Sequence, residues 1–284
     1  MSPRSRTHRS AGLGLQIAIA AALVALLFLP LLALFRATSW GDLVRAAGDP
    51  AVRASLGLTL LASAISLGLV LLFGIPTGYL FARRPFRGML LVESFITLPT
   101  VLPHVIGGLA ILLLVAPNSP LGSALARYGF PPVETIWGVV MVMFYVSVAY
   151  TVLASEVAFR AIDRGVVEAA RSLGASPSEA FASVVLPGAL RGILAGALLS
   201  WGRGISEIGG FLLVAYAVYP SGPYAGPVTS PLSVFIFNLY QIGDLSGAVA
   251  VSALLVLLAF AIFVGARWAA LHGSETWRWV RSVA

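Results

Sequence analysis

The sequence predicts an all-α integral membrane protein with six transmembrane helices. Three observations carry that expectation. Of 284 residues, 59% are hydrophobic and only 10% are charged, where a soluble domain is about a quarter charged. Mean hydropathy is +0.95, so a globule of this size lacks the polar residues to cover its surface. Six apolar stretches lie at approximately 11–35, 55–82, 89–116, 135–159, 189–218 and 246–271, each long enough for a bilayer crossing of roughly 20 residues.

The first stretch contains Gln16 and follows Arg4, Arg6 and Arg9. Its apolar run exceeds the roughly 7–15 residues of a secretory signal, which predicts a retained helix. The second carries Gly74-x-x-x-Gly78 and the fifth Gly192-x-x-x-Gly196, small-residue pairs that let helix backbones approach within one chain or between two. The third is the least regular, because Pro99 and Pro103 interrupt it. The fifth holds Arg203 and Glu207. An outer segment, 219–231, contains four prolines; after it Leu232, Phe235, Ile236, Leu239 and Ile242 recur at helical spacing. This predicts a short interfacial helix within an outer region 219–245. The tail alternates Trp277 and Trp279 with Arg278 and Arg281, the composition of an interfacial anchor.

Arginine placement sets the orientation. Thirteen arginines fall in 1–10, 83–88, the 160–191 region and the segment from Arg267 onward, against four (Arg36, Arg45, Arg53, Arg127) on the other side. Positive residues favour the cytoplasm. The expected layout is a cytoplasmic N-tail 1–10, one membrane domain 11–271, and a cytoplasmic C-tail 272–284, in the cell membrane and surrounded by lipid.

The absent residue types exclude chemistry. There is no Cys, and all 18 basic residues are Arg. Disulfides, thiolate metal sites, a P-loop lysine and a Schiff-base lysine are therefore out. No paired catalytic Asp, His-Glu-x-x-His or nucleophile elbow is present, which argues against an intramembrane enzyme. The charge of +7 reflects loop arginines rather than an isolated basic domain, so nucleic acid is not an expected partner.

The loop 160–188 is long and charged. Residues 160–173 read as a helix with Ile162, Val166, Ala169, Ala170 and Leu173 on one face, and Gly174 suits a left-handed cap. Ser176-Pro177-Ser178-Glu179 then reads as a capping box opening a short helix, 177–184, that ends before Pro187. So short a helix is unstable alone in water and has to pack on its own bundle or a partner.

Glu168-Ala169-Ala170, Gly174 and Val184-Val185-Leu186-Pro187, at this spacing, resemble the EAA loop of ABC importer permeases. Val184 stands where the family usually has Ile. The resemblance implies the type I, methionine-permease-like fold and alternating access driven by a separate ATPase dimer that binds ATP and Mg. An extracytoplasmic binding protein would deliver the solute, two copies of this chain would pair, and the chain itself would hold no cofactor. Pro177–Val184 would be the coupling helix, with Ser176 capping it, Glu179 and Phe181 on or near the ATPase contact, Glu168 fixing the loop, and Leu186 and Pro187 closing it.

Two further stretches resemble the oxyanion group of that family, which takes molybdate, tungstate or sulfate. They are Leu98-Pro99-Thr100-Val101-Leu102-Pro103-His104 and Gly202-Arg203-Gly204-Ile205-Ser206-Glu207-Ile208-Gly209. His104 stands where a second proline is frequent, and Gly202 and Gly204 replace alanines. The Ile-Ser-Glu form is closer to molybdate/tungstate members, with a sulfate, thiosulfate or other small-solute importer as the alternative. Arg203 and Glu207 are four apart and can pair on one helix face. The pair either locks the fifth span or edges a path for a tetrahedral dianion; His104 is either a packed interfacial residue or a pathway donor. A secondary transporter, the more distant alternative, would need coupling carboxylates in the spans, for which Glu93, Glu156 and Glu207 are the candidates.

Overall fold

The structure, a computed structural model, describes residues 4–84 and 86–272. The side chains of Arg4, Arg6 and Arg9, and the tail with Trp277, Arg278, Trp279 and Arg281, lie outside the described set.

Helix α1 (Arg4–Arg36) begins inside the expected N-tail. Its side chains are exposed from Gly14 to Ala33, so it stands beside the bundle rather than within it. After it, α2 (Trp40–Gly48) is opened by a Ser39–Asp42 capping box. Asp49 then caps α3 (Pro50–Arg83), accepting from the Ala51 amide at 2.7 Å. Beyond these come α4 (Met89–Thr97), a 3-10 turn at Leu98–Thr100, α5 (His104–Val115), α6 (Pro120–Arg127) and the central α7 (Ile136–Arg160). Past the loop lie α10 (Leu186–Ile205), α11 (Gly209–Val214), α12 (Leu232–Gln241) and α13 (Leu245–His272).

Packing is organised around α7, whose Val139, Val142, Met143 and Val146 are buried. In lipid, apolar burial gives little drive between helices, so close backbone approach has to supply the contact. The two small-residue pairs both supply it within the chain. A Cβ at Gly74 would meet Thr151 and one at Gly78 would meet Ser155, so α3 and α7 run in the same direction. Gly192 lies against Ala158 and Gly196 against Ala154, so α10 runs antiparallel to α7. A polar seam joins the three helices. The Ser200 hydroxyl donates to the Ser147 carbonyl at 2.8 Å, and its own oxygen accepts from Thr151 at 2.7 Å. Trp201 Nε1 donates to Ser63 Oγ at 3.1 Å. Thr151 and Ser200 are both buried, yet the sequence reading passed over them.

Three expectations about the spans are corrected. The third stretch is not one irregular helix: Met89–Thr100 and His104–Val115 meet at 110°. Pro99 and Pro103, which cannot donate backbone hydrogen bonds, flank the bend. Because α3 and α7 are parallel, this bent pair has to carry the chain back between them. The fifth stretch does not run to 218. Its helix ends at Ile205, and α11 starts afresh at Gly209. Nor does Pro187 break the chain. Pro177–Ile205 is continuous, through a π-helical turn at Phe181–Val185. Leu186 donates to the Phe181 carbonyl, and the widened turn gives the Pro187 ring room that an α-turn denies it.

The proline-rich segment 219–231 is stitched down by backbone and hydroxyl bonds. Val218 pairs with Thr229, and the Tyr219 amide donates to Glu134. Ser55 donates to the Ser230 carbonyl at 2.7 Å, and the Leu232 amide donates to Thr59 Oγ1 at 2.8 Å. The helix expected after the prolines forms over Leu232–Gln241. Leu232, Phe235, Ile236 and Leu239 pack with Val52 and Val251, while Ile242 is exposed.

Candidate functional site

The site forms where α10 ends. Arg203 sits in its last turn, Ser206 follows the last helical residue, and Glu207 occupies the break before α11. Arg203 Nη1 donates to Glu207 Oε2 at 2.8 Å. Glu207 Oε1 accepts from the Gly210 amide at 2.8 Å. The Glu207 carbonyl accepts from Ser233 Oγ of α12 at 2.5 Å. Glu207 is 0% exposed, the Arg203 side chain 15%, and that of His104 49%. A buried carboxylate needs this much compensation, because an uncompensated charge in a span is costly.

His104 completes the cluster from the other broken helix. Its Nδ1 lies 3.3 Å from Glu207 Oε2, and its Nε2 lies 3.2 Å from Arg203 Nη2. A carboxylate only accepts and a guanidinium only donates. The contacts therefore assign the neutral tautomer with the proton on Nδ1 and a bare Nε2. Four glycines make the approach possible. A Cβ on Gly209 would lie 2.7 Å from His104 Cβ, one on Gly108 2.6 Å from Gly210 Cα, and one on Gly210 2.5 Å from Val142 Cγ1. Beside them, Gly107 packs on the Tyr145 ring.

The remaining pathway candidates are dispersed. Pro99 is buried and shapes the bend, and Pro103 is exposed as the N-cap of α5. The Thr100 hydroxyl is spent on the Thr97 carbonyl at 2.7 Å. The exposed Ser206 bonds back to the Arg203 carbonyl at 3.0 Å. Ser233 was missed by sequence reasoning, and nothing local marks it as the partner of a residue 26 positions away.

At the far end of α10 the charged loop contains α8 (Arg164–Ser172) and α9 (Pro177–Ala180). Its first helix is shorter than the expected 160–173: α7 runs to Arg160, and Asp163 caps α8 through the Gly165 amide at 2.8 Å. Gly174 takes φ +97°, and Ala175 N–H reaches the Ala170 carbonyl at 3.2 Å, closing α8 in a Schellman-type turn. The capping box is present: Ser176 N–H to Glu179 Oε2 is 2.7 Å and Glu179 N–H to Ser176 Oγ is 3.3 Å. Leu173 is 90% and Val166 54% exposed, while Val167 packs inward; the apolar face is rotated from the one expected. Phe181 also points inward, with ring centroids 4.9 Å from Tyr79 and 6.2 Å from Phe159. Glu168 is exposed and makes no hydrogen bond or ion pair among the described residues. Within the chain the turn and the capping box shape the loop, in which Ala169, Pro177 and Ser178 are exposed and Ala170, Val184, Leu186 and Pro187 are half-buried.

Residues 74–272 match the model of a family described as the binding-protein-dependent transport system inner membrane component. The chain belongs to that family. A molybdate/tungstate transport system permease protein of Pyrococcus abyssi is 34% identical over 253 residues, covering 88% of this permease and 92% of the relative. A sulfate transport system permease protein of Synechococcus elongatus is 30% identical over 247 residues, covering 84% and 85%. Among solved structures, a bacterial alginate ABC transporter in complex with its pentasaccharide-bound periplasmic protein aligns with TM-score 0.65 at 18% identity, covering 93% of this permease and 96% of that chain. The inward-facing MetNI methionine ABC transporter aligns with TM-score 0.58 at 20% identity, covering 78% and 94%. At those identities the structures establish the fold alone: that of an ABC importer permease.

Proposed function

We propose that this permease carries molybdate or tungstate into the cell by alternating access, driven by a separate ATPase and supplied by an extracytoplasmic binding protein. The observation that carries the reading is the match to a molybdate/tungstate permease protein along 88% of the chain. Geometry supports it. A tetrahedral dianion needs a donor group that binds without trapping, since a pathway requires weak sites. Arg203 is such a group, its charge offset by the buried Glu207. Sulfate remains the competing anion because a sulfate permease protein also aligns across most of the chain.

The arginine asymmetry supports a cytoplasmic location for both termini. The loop with Gly174 and Ser176 then faces the ATPase, and its exposed Leu173, Pro177 and Glu179 offer the docking surface. A pair of these chains would form the twelve-helix unit, consistent with the apolar α1 that its own bundle leaves uncovered. ATP and Mg would be held by the partner ATPase. ATP-dependent uptake of labelled molybdate, tungstate and sulfate into proteoliposomes, with the ATPase and binding protein added, tests the reading. Uptake of sulfate in preference to molybdate would reassign the substrate.

A further inference from the structure

His104 faces two groups of opposite chemistry at nearly equal distance, Glu207 Oε2 at 3.3 Å and Arg203 Nη2 at 3.2 Å. In the neutral ring the bare Nε2 accepts from Arg203 Nη2, and the three side chains sum to zero charge. A proton on Nε2 changes both facts. The ring can no longer accept from Arg203, while its Nδ1–H still serves Glu207. Nε2–H and Nη2–H then become adjacent donors, and the cluster carries a net positive charge. Half of the His104 side chain is exposed, while Glu207 is fully enclosed. Of the three side chains the imidazole is the most accessible, and the carboxylate is enclosed behind it and the guanidinium.

Among the described residues, the charged groups in contact with the ring are Arg203 and Glu207. Arg203 comes from α10 and Glu207 from the break after it. The adjoining α11 contributes only Gly209 and Gly210, and Tyr145 of α7 lies one turn away beside Gly107. Imidazole is the side chain that changes charge near neutral pH, in the range of about 5–8, and two converging cationic donors suit a tetrahedral dianion.

We propose that His104 is a second anion-binding residue that takes up one proton from the aqueous side as the oxyanion arrives, so that anion affinity within the membrane domain rises as pH falls. The inference rests on the oxyanion-transport reading above. Neutral His104 holds Arg203 in the resting state; protonated His104 joins it around the anion, and loss of the proton releases both.

The test uses the full transporter with its ATPase and binding protein in proteoliposomes. ATP-dependent molybdate uptake is measured from about pH 5.5 to 8.5 for wild type and His104→Gln, whose amide keeps one donor and one acceptor but does not titrate. The ratio of the two rates cancels the pH dependence of the other subunits. It is expected to rise as pH falls, at most about tenfold per pH unit for one linked proton. A ratio independent of pH overturns the proposal while leaving the transport reading intact. No wild-type uptake of molybdate, tungstate or sulfate at any pH overturns both. Should His104→Gln fail to assemble, proton uptake is followed with a pH dye when molybdate is added to the wild-type transporter lacking the binding protein. Uptake of up to one proton per anion supports the proposal, and no proton uptake at any anion concentration up to saturation overturns it.

Discussion

Gly108 and Gly210 touch backbone to backbone: a Cβ on Gly108 would fall 2.6 Å from Gly210 Cα. This contact holds α5 against α11 and so brings His104 to Glu207. Each glycine belongs to a pair, Gly107-Gly108 in the first turns of α5 and Gly209-Gly210 at the start of α11. Two broken helices meet here, and the charged cluster sits between their ends.

Gly108→Ala is therefore expected to push α5 and α11 apart. Overpacking of this kind costs about 1–3 kcal/mol, and the His104–Glu207 contact of 3.3 Å is lost with it. The expected result is a lower melting temperature of the detergent-purified permease and a several-fold loss of uptake. Gly57→Ala is the control, because a Cβ there meets nothing within 4 Å and alanine favours the helix by about 1 kcal/mol. Equal melting temperatures for the two variants would show that the contact is not tight.

Arg203→Ala leaves Glu207, which is 0% exposed, with only His104 and the Gly210 amide. Breaking a buried pair by removing one partner costs about 3–5 kcal/mol, so this variant should accumulate poorly. Arg203→Ala combined with Glu207→Ala removes both charges and should recover much of that stability without recovering uptake. Accumulation in membranes and thermal melting of the purified protein measure the first effect, and vesicle uptake the second. A double variant no more stable than the single one would mean that the pair does not lock the helix.

Much of the architecture was legible because it rests on local chemistry. The Ser176–Glu179 capping box, the left-handed Gly174, the Arg203–Glu207 spacing and the helix from Leu232 follow from rules spanning a few residues. The departures come from tertiary packing. Hydropathy continues from 189 to 218, so nothing in it announces that the helix stops at Ile205; the stop depends on Glu207 finding the Gly210 amide and Ser233. The 110° bend after Thr100 follows from prolines the sequence displays, but its size follows from α5 docking on α11. Pro187 reads as a helix stop by propensity, and a π-turn overrides it. Phe181 lies on the helix expected to meet a partner, and its ring packs on Tyr79 and Phe159 of its own chain.

Topology can be checked with single cysteines in this Cys-free chain. Ser221 looks a natural outer site from sequence, yet its hydroxyl is buried, with no hydrogen-bond partner among the described residues, and would label poorly whatever its side. Ala225 and Ser172 are both exposed. With the loop at Ser172 cytoplasmic, an impermeant thiol reagent on intact cells should modify Ala225→Cys and spare Ser172→Cys until the membrane is permeabilised. The opposite pattern would invert the orientation drawn from the arginines.

Variants at Gly174, Ser176 and Phe181 separate the loop's own folding from its proposed contact with the ATPase. Gly174 adopts φ +97°, which a β-branched residue strongly resists, so Gly174→Val should unmake the turn between α8 and α9. Ser176→Ala removes the acceptor of the Glu179 amide and should weaken the cap by about 0.5–2 kcal/mol. Gly174 and Ser176 are exposed, so neither change should disturb the packed bundle, and insertion and melting temperature are expected to stay near wild type. ATPase retained on purification should fall strongly for Gly174→Val and partly for Ser176→Ala, with uptake falling in parallel. Phe181→Ala is expected to behave in the reverse way. Its ring packs on Tyr79 at 4.9 Å, and aromatic contacts of this kind contribute about 0.5–1.5 kcal/mol beyond area burial. Its first effect should be a lower melting temperature of the isolated permease, with less ATPase lost than in Gly174→Val. Full ATPase retention and wild-type uptake in Gly174→Val would remove this loop as the coupling element, whatever Phe181→Ala does.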